Sequence, residues 1–158
     1  MVHYKEYKNH HRRCENRNVN CPGTECNKLL SLREVVAHTK ICPAISTLTG
    51  QQFYLAVHDD YLRRKEFFWR TFVFIRNSKH FFLKTGKYDN QFSQEAVMLG
   101  SPEEWEDYRA EISILDSKHH SVLSSSFSPG PICLERRGNK CLTATQEVLA
   151  SIWKYDEE

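Results

Sequence analysis

The chain has 158 residues, 40% of them apolar and 27% charged, with a mean hydropathy of −0.61 and a formal net charge of +2. That apolar mass is enough for one core, which excludes a disordered or fibrous chain, and the balanced charge excludes wholesale polyanion binding. The longest strongly apolar runs, such as Phe72-Val73-Phe74-Ile75, fall far short of a membrane span, and Met1 to Glu6 has no signal-peptide h-region. A cytoplasmic chain, extending to the nucleus, with no membrane contact is expected.

Charge and cysteine are both concentrated at the front. Residues 1–40 hold 8 Lys/Arg against 4 Glu, a net +4, which leaves −2 for the remainder. Cys14, Cys21, Cys26 and Cys42 crowd the first quarter, whereas Cys133 and Cys141 lie far away. His3, His10, His11 and His38 are there too. Two differently built regions are expected, the first organised by Cys and His.

In chain order, His10-His11-Arg12-Arg13-Cys14 comes first. Its H-x3-C spacing repeats that of His38 and Cys42, so residues 1–20 read as the tail of a preceding finger with no complete site of its own. Next come Cys21-Pro22-Gly23-Thr24-Glu25-Cys26, then His38 and Cys42, a C-x4-C-x11-H-x3-C pattern. A short turn between two cysteines lets both sulfurs face one point. A helix places residues i and i+4 on one face, which serves His38 and Cys42. Ser31 with Glu34 three residues on forms a capping box, and Leu32, Val35 and Val36 give an apolar face. Cys21, Cys26, His38 and Cys42 are therefore expected to hold one structural Zn2+ over residues 21–43, with every position filled by protein. Disulfides, or free buried cysteines beside an incidental histidine, are the alternatives; nothing in the sequence directs the chain to an oxidising compartment.

Residues 44–158 read as mainly β. Phe53 to Val57, Phe67 to Ile75 and His80 to Lys84 are rich in aromatic and β-branched residues. Gly86 and Asp89-Asn90 read as punctuation. Phe92, Ala96 and Met98 alternate with Ser93, Glu95 and Val97, and Glu106 to Leu115 alternates again. His120 to Phe127 is a further strand, and Ser128-Pro129-Gly130-Pro131 a breaker. Thr143 to Trp153 is expected as a short helix capped by Thr143. Short strands with regular turns argue for an antiparallel sandwich. No catalytic constellation emerges. Asp59-Asp60, beside His58, reads as a solvated turn, Cys133 and Cys141 lack a nearby histidine, and Arg136 to Asn139 is a basic turn.

One resemblance now comes into view. His10…Cys14-Glu15-Asn16-Arg17-Asn18-Val19-Asn20-Cys21-Pro22 is similar to the joint between fingers in TRAF-type and seven-in-absentia (SIAH) proteins. Ser46-Thr47-Leu48-Thr49-Gly50 resembles the SIAH segment between finger and substrate-binding domain. Lys87-Tyr88-Asp89, Phe92 to Val97 with Leu99-Gly100, and Tyr108 to Ile112 resemble segments of the SIAH TRAF-like sandwich. The resemblance spans roughly residues 10–155. It implies a zinc finger followed by a TRAF-like antiparallel β-sandwich, and peptide binding at Leu48, Tyr54 and Trp69. It also implies a place in a ubiquitin-ligase system as adaptor or regulator, and dimers, either homodimers or heterodimers with a RING-containing relative.

The sequence departs from that family in four respects: it has no RING, its first finger has no cysteine pair, Cys42 stands where histidine is usual, and it stops at Glu158, about where the family adds a final strand. The expectation is a recognition module for protein or peptide clients that is not catalytic by itself. The alternatives are a fragment of an active RING-type E3 ligase and a nucleic-acid-binding finger. The latter would rest on Arg12, Arg13 and Arg17, but Glu15, Glu25 and Glu34 are interspersed.

Overall fold

The structure, a computed structural model, describes residues 14–49, 66–88, 91–115, 118–132 and 141–145, together with His10 and Arg64. The front of the chain forms a small hairpin and helix. Strand β1 (Asn18–Asn20) pairs antiparallel with β2 (Leu29–Ser31), with Val19 opposite Leu30. A 3-10 turn over Leu32–Glu34 runs into α1 (Val35–Thr39). The Ser31 N–H donates to Glu34 Oε2 at 2.8 Å, and the Ser31 hydroxyl donates to the same oxygen at 2.6 Å. The serine-to-glutamate signal thus starts the element as expected. The helix stops at Thr39, so Cys42 lies beyond its end rather than on its face.

The main sheet follows. Its strands are β3 (Ile45–Thr47), β4 (Phe67–Phe68), β5 (Thr71–Arg76), β6 (Lys79–Tyr88), β7 (Gln91–Met98), β10 (Gly130–Pro131) and β11 (Cys141–Thr145). The order across the sheet is β10-β7-β6-β5-β3; β11 also pairs with β7, and β4 with β6. Pairing is antiparallel except for β3 on β5 and β10 on β7. Asn77 and Ser78 both adopt positive φ, 49° and 62°, and close the β5–β6 hairpin by a two-residue turn. A second hairpin, β8 (Ala110–Leu115) with β9 (Ser121–Phe127), stands apart from the sheet's ladder.

Both faces of the sheet are covered. Val73, Phe82 and Val97 lie in register across three strands, and they share one apolar cluster with Val19, Leu30, Leu32, Val35 and Ile45 from the front of the chain. The opposite face carries Phe81, Leu83, Phe92, Ala96, Met98, Leu142 and Ala144, all buried. The β8–β9 hairpin lays Ile114 and Leu123 against Phe67, Phe92 and Ala144 there. Tyr108 meets Phe81 edge-on at 5.0 Å. This double cover explains why the alternation of β7 fails at its end, where Ala96, Val97 and Met98 are all buried.

Several sequence expectations are corrected. Phe67 to Ile75 is two strands. The register against β6 slips by one residue between Phe68–Gly86 and Phe72–Leu83, so Trp69-Arg70 is a bulge. Gly86 lies inside β6 instead of ending a strand, because a Cβ there would come within 2.7 Å of Phe68 Cδ1 and 3.2 Å of Phe67 O.

The expected strand from Glu106 begins only at Ala110. Before it stands α2 (Pro102–Glu106), whose Ser101-Pro102-Glu103-Glu104 start is a capping box with proline in the first turn. Gly130-Pro131 breaks the chain but still pairs with Val97 and Met98.

Thr143 caps no helix. It sits in β11 opposite Ser93, because Leu142 and Ala144 alternate inward onto the free edge of β7. The rest of the expected C-terminal helix, the Phe53–Val57 strand, Tyr54 and the His58–Asp60 cluster lie outside the described residues, as do Cys133 and Arg136 to Asn139. Among the described residues, no helix is long and apolar enough to cross a membrane.

Candidate metal centre

The four residues singled out by spacing converge. One ligand atom each from Cys21, Cys26, His38 and Cys42 lies within 4.8 Å of all the others. The Cys21 and Cys42 sulfurs are 3.8 Å apart, and Cys26 Sγ is 3.5 Å from His38 Nε2. These two distances match edges of a small tetrahedron. Metal–sulfur bonds of about 2.3 Å and metal–nitrogen bonds of about 2.0–2.1 Å at tetrahedral angles put sulfurs about 3.8 Å apart and sulfur about 3.6 Å from nitrogen. A disulfide needs sulfurs at about 2.05 Å, so the cysteines here are free thiols in a ligand arrangement.

Local chemistry builds each corner. The Cys21–Cys26 turn folds back so that the Cys26 N–H donates to Gly23 O at 3.1 Å and the Gly23 N–H donates to Cys21 Sγ at 3.3 Å. Gly23 passes so close to the β3 entry that a Cβ would lie 2.9 Å from Ala44 Cβ. His38 comes from the last turn of α1, and Cys42 from the segment leading into β3.

Electrostatics point the same way. Burial, then the Cys26 and Cys42 sulfurs, pushes the Cys21 thiol up to about 12 against a single Gly23 hydrogen bond. Against its own partial burial, the Lys28 backbone N–H and the Cys21 and Cys42 sulfurs hold the Cys26 thiol below its ordinary value. Three packed sulfurs cannot share negative charge unaided. A bound cation reverses that, because a coordinating thiol is deprotonated outright. The donor set therefore suits a soft or borderline cation. Among the described residues, none takes a hydrogen bond from the buried His38 Nδ1.

No local residue pattern signals how this unit is anchored. The Thr71 hydroxyl donates to Pro22 O at 3.0 Å, and the Thr24 hydroxyl lies 3.1 Å from Trp69 O and 2.9 Å from Thr71 Oγ1. The Thr71 N–H donates to Ala44 O at 3.1 Å. The side-chain contacts join residues 45 to 49 positions apart in sequence, and isolated threonines carry no signal for such a contact. Beside the clamp lies a groove of about 380 Å³ lined by Thr24, Glu25, Cys26, Pro43, Ala44, Trp69 and Arg70.

Of the residues expected to bind peptide, Trp69 borders this groove and also packs edge-on to Phe67 at 4.8 Å and Phe92 at 5.7 Å. Leu48 lies past the far end of β3, where its N–H donates to Val73 O at 2.8 Å. Leu48 is not among the residues lining the groove. Cys14 is a free, half-buried thiol whose N–H closes one turn onto His10 O at 2.8 Å; neither residue joins the metal cluster. No family model and no curated protein matches the chain.

Proposed function

We propose that the chain is a zinc-stapled protein-interaction module that binds extended peptide segments on its β-structure. In this reading it is the recognition part of a SIAH-like ubiquitin-ligase system, acting as adaptor or regulator. The observation that carries the metal half is the Cys21, Cys26, His38 and Cys42 cluster, its ligand atoms all within 4.8 Å of one another. Three sulfurs and one nitrogen suit Zn2+, and four protein ligands make the site structural. The mainly β architecture, with β3 as a short strand at one border of the sheet among the described residues, supports the recognition half. An edge strand can take an extended peptide as an added strand, with pockets reading alternate side chains. The TRAF-like identity of the fold, and pairing with itself or with a RING-bearing relative, belong to this proposal.

Metal content by elemental analysis tests the first half; about one zinc per chain is expected, and none refutes it. Titration with a Val-x-Pro peptide, followed by tryptophan fluorescence, tests the second. No response at high micromolar concentration counts against the inherited specificity. Autoubiquitination by these 158 residues alone is expected to be blank, and activity there refutes the adaptor reading. Nucleic-acid binding draws less support, because Arg17 is buried and cannot meet a phosphate.

A further inference from the structure

We infer that Cys26 is a modification site, the point where a small oxidant or soft electrophile enters the metal cluster. The inference rests on the metal reading above. The three sulfurs are not equivalent. Cys21 and Cys42 are 5% and 4% exposed, whereas Cys26 is only partly buried and lines the open groove between the metal turn and the Trp69-Arg70 bulge. A peroxide molecule fits a space of about 380 Å³ with room to spare, so the groove gives it a path to Cys26 and to no other ligand sulfur. Both buried sulfurs lie within 4.8 Å of Cys26, close enough to act as resolving groups.

The reaction balances with hydrogen peroxide as the oxidant. The Cys26 thiolate attacks one peroxide oxygen; the O–O bond breaks, a sulfenic acid forms and hydroxide leaves. Cys21 or Cys42 then attacks the Cys26 sulfur as a thiolate, forming the disulfide and expelling a second hydroxide. Two sulfurs are each oxidised by one electron, and the peroxide takes up both. With two of its four ligands lost, the metal ion dissociates. The Cys21–Cys26 turn carries Thr24, which anchors to Trp69 O, so the change is transmitted to the wall of the groove.

The test uses the zinc-loaded full chain. N-ethylmaleimide labelling, read by mass spectrometry of peptides, should modify Cys26 at least tenfold faster than Cys21 and Cys42. Stoichiometric hydrogen peroxide should release zinc to a chromophoric chelator and leave a disulfide from Cys26 to Cys21 or Cys42. Equal labelling rates overturn the inference, as does a Cys21–Cys42 disulfide with Cys26 still a thiol. Cys26→Ser should slow peroxide-driven zinc release at least tenfold; if that variant does not hold zinc, the wild-type labelling order decides. If the isolated chain contains no zinc, the metal reading fails separately, and the labelling order on the metal-free chain still tests Cys26 as the accessible sulfur.

Discussion

Thr71→Val isolates the clamp between metal turn and sheet. Valine keeps the shape of threonine, so the fully buried site keeps its packing and loses only the hydroxyl. That hydroxyl is the donor to Pro22 O, at 3.0 Å in a buried setting. It also accepts from Thr24, but the Thr24 proton retains Trp69 O at 3.1 Å as an alternative acceptor. The substitution therefore strands one buried carbonyl, which costs about 1–3 kcal/mol. Urea denaturation in saturating zinc should show a lower midpoint at unchanged slope. Thr24→Val should cost less, about 0.5–1.5 kcal/mol, because its hydrogen bonds are only part-buried. The double variant should cost less than the sum, since the two hydroxyls touch. If the metal unit were an independent appendage, Thr71→Val would leave the sheet's unfolding unchanged. A shift below about 0.5 kcal/mol would therefore refute both the hydrogen-bond assignment and the continuity of the core.

If the cluster holds zinc as proposed, chelation, followed by circular dichroism and thermal unfolding, should destabilise the sheet as well as the Cys/His unit, because Val73, Phe82 and Val97 share a cluster with Val19 and Val35. Phe82→Ala, at the fully buried centre of that cluster, should cost about 3–5 kcal/mol by denaturation. Ser78→Gly should stabilise by up to about 1 kcal/mol, because Ser78 holds φ 62° and glycine takes that conformation without a Cβ clash; a destabilised variant would refute the turn assignment. Glu104 sits below the usual carboxylate range through Lys79 first and the Ser101 N–H second. Its contribution is thus complete above the ordinary glutamate value and fades as pH falls through the depressed one. Glu104→Gln should therefore lower stability at pH 7, by an amount that shrinks as pH falls through the depressed value. The effect should stay within about 1 kcal/mol, because the pair is about one-third exposed.

What sequence determined by itself was local. The C-x4-C-x11-H-x3-C spacing located the Cys/His cluster, since a tight turn and a short helix restrict where four side chains can go. The Ser31–Glu34 cap, the period-2 strand β7, the strand β9, and the alternating Ile112 and Ile114 were equally legible, because each depends on neighbours a few residues away. The Ser101–Glu104 cap was also written in the sequence, but the alternation beyond it drew the strand too early. What only the tertiary structure decided was pairing over long separations. The Trp69-Arg70 bulge follows from a one-residue slip against β6. Thr143 became a strand residue because β7 offers an unpaired edge. The Thr24–Thr71 clamp joins residues 47 apart, and it makes the metal turn a wall of the same groove as Trp69. Hydrogen-bond partners at such separations are chosen by packing of the whole chain, and local residue patterns carry no record of that choice.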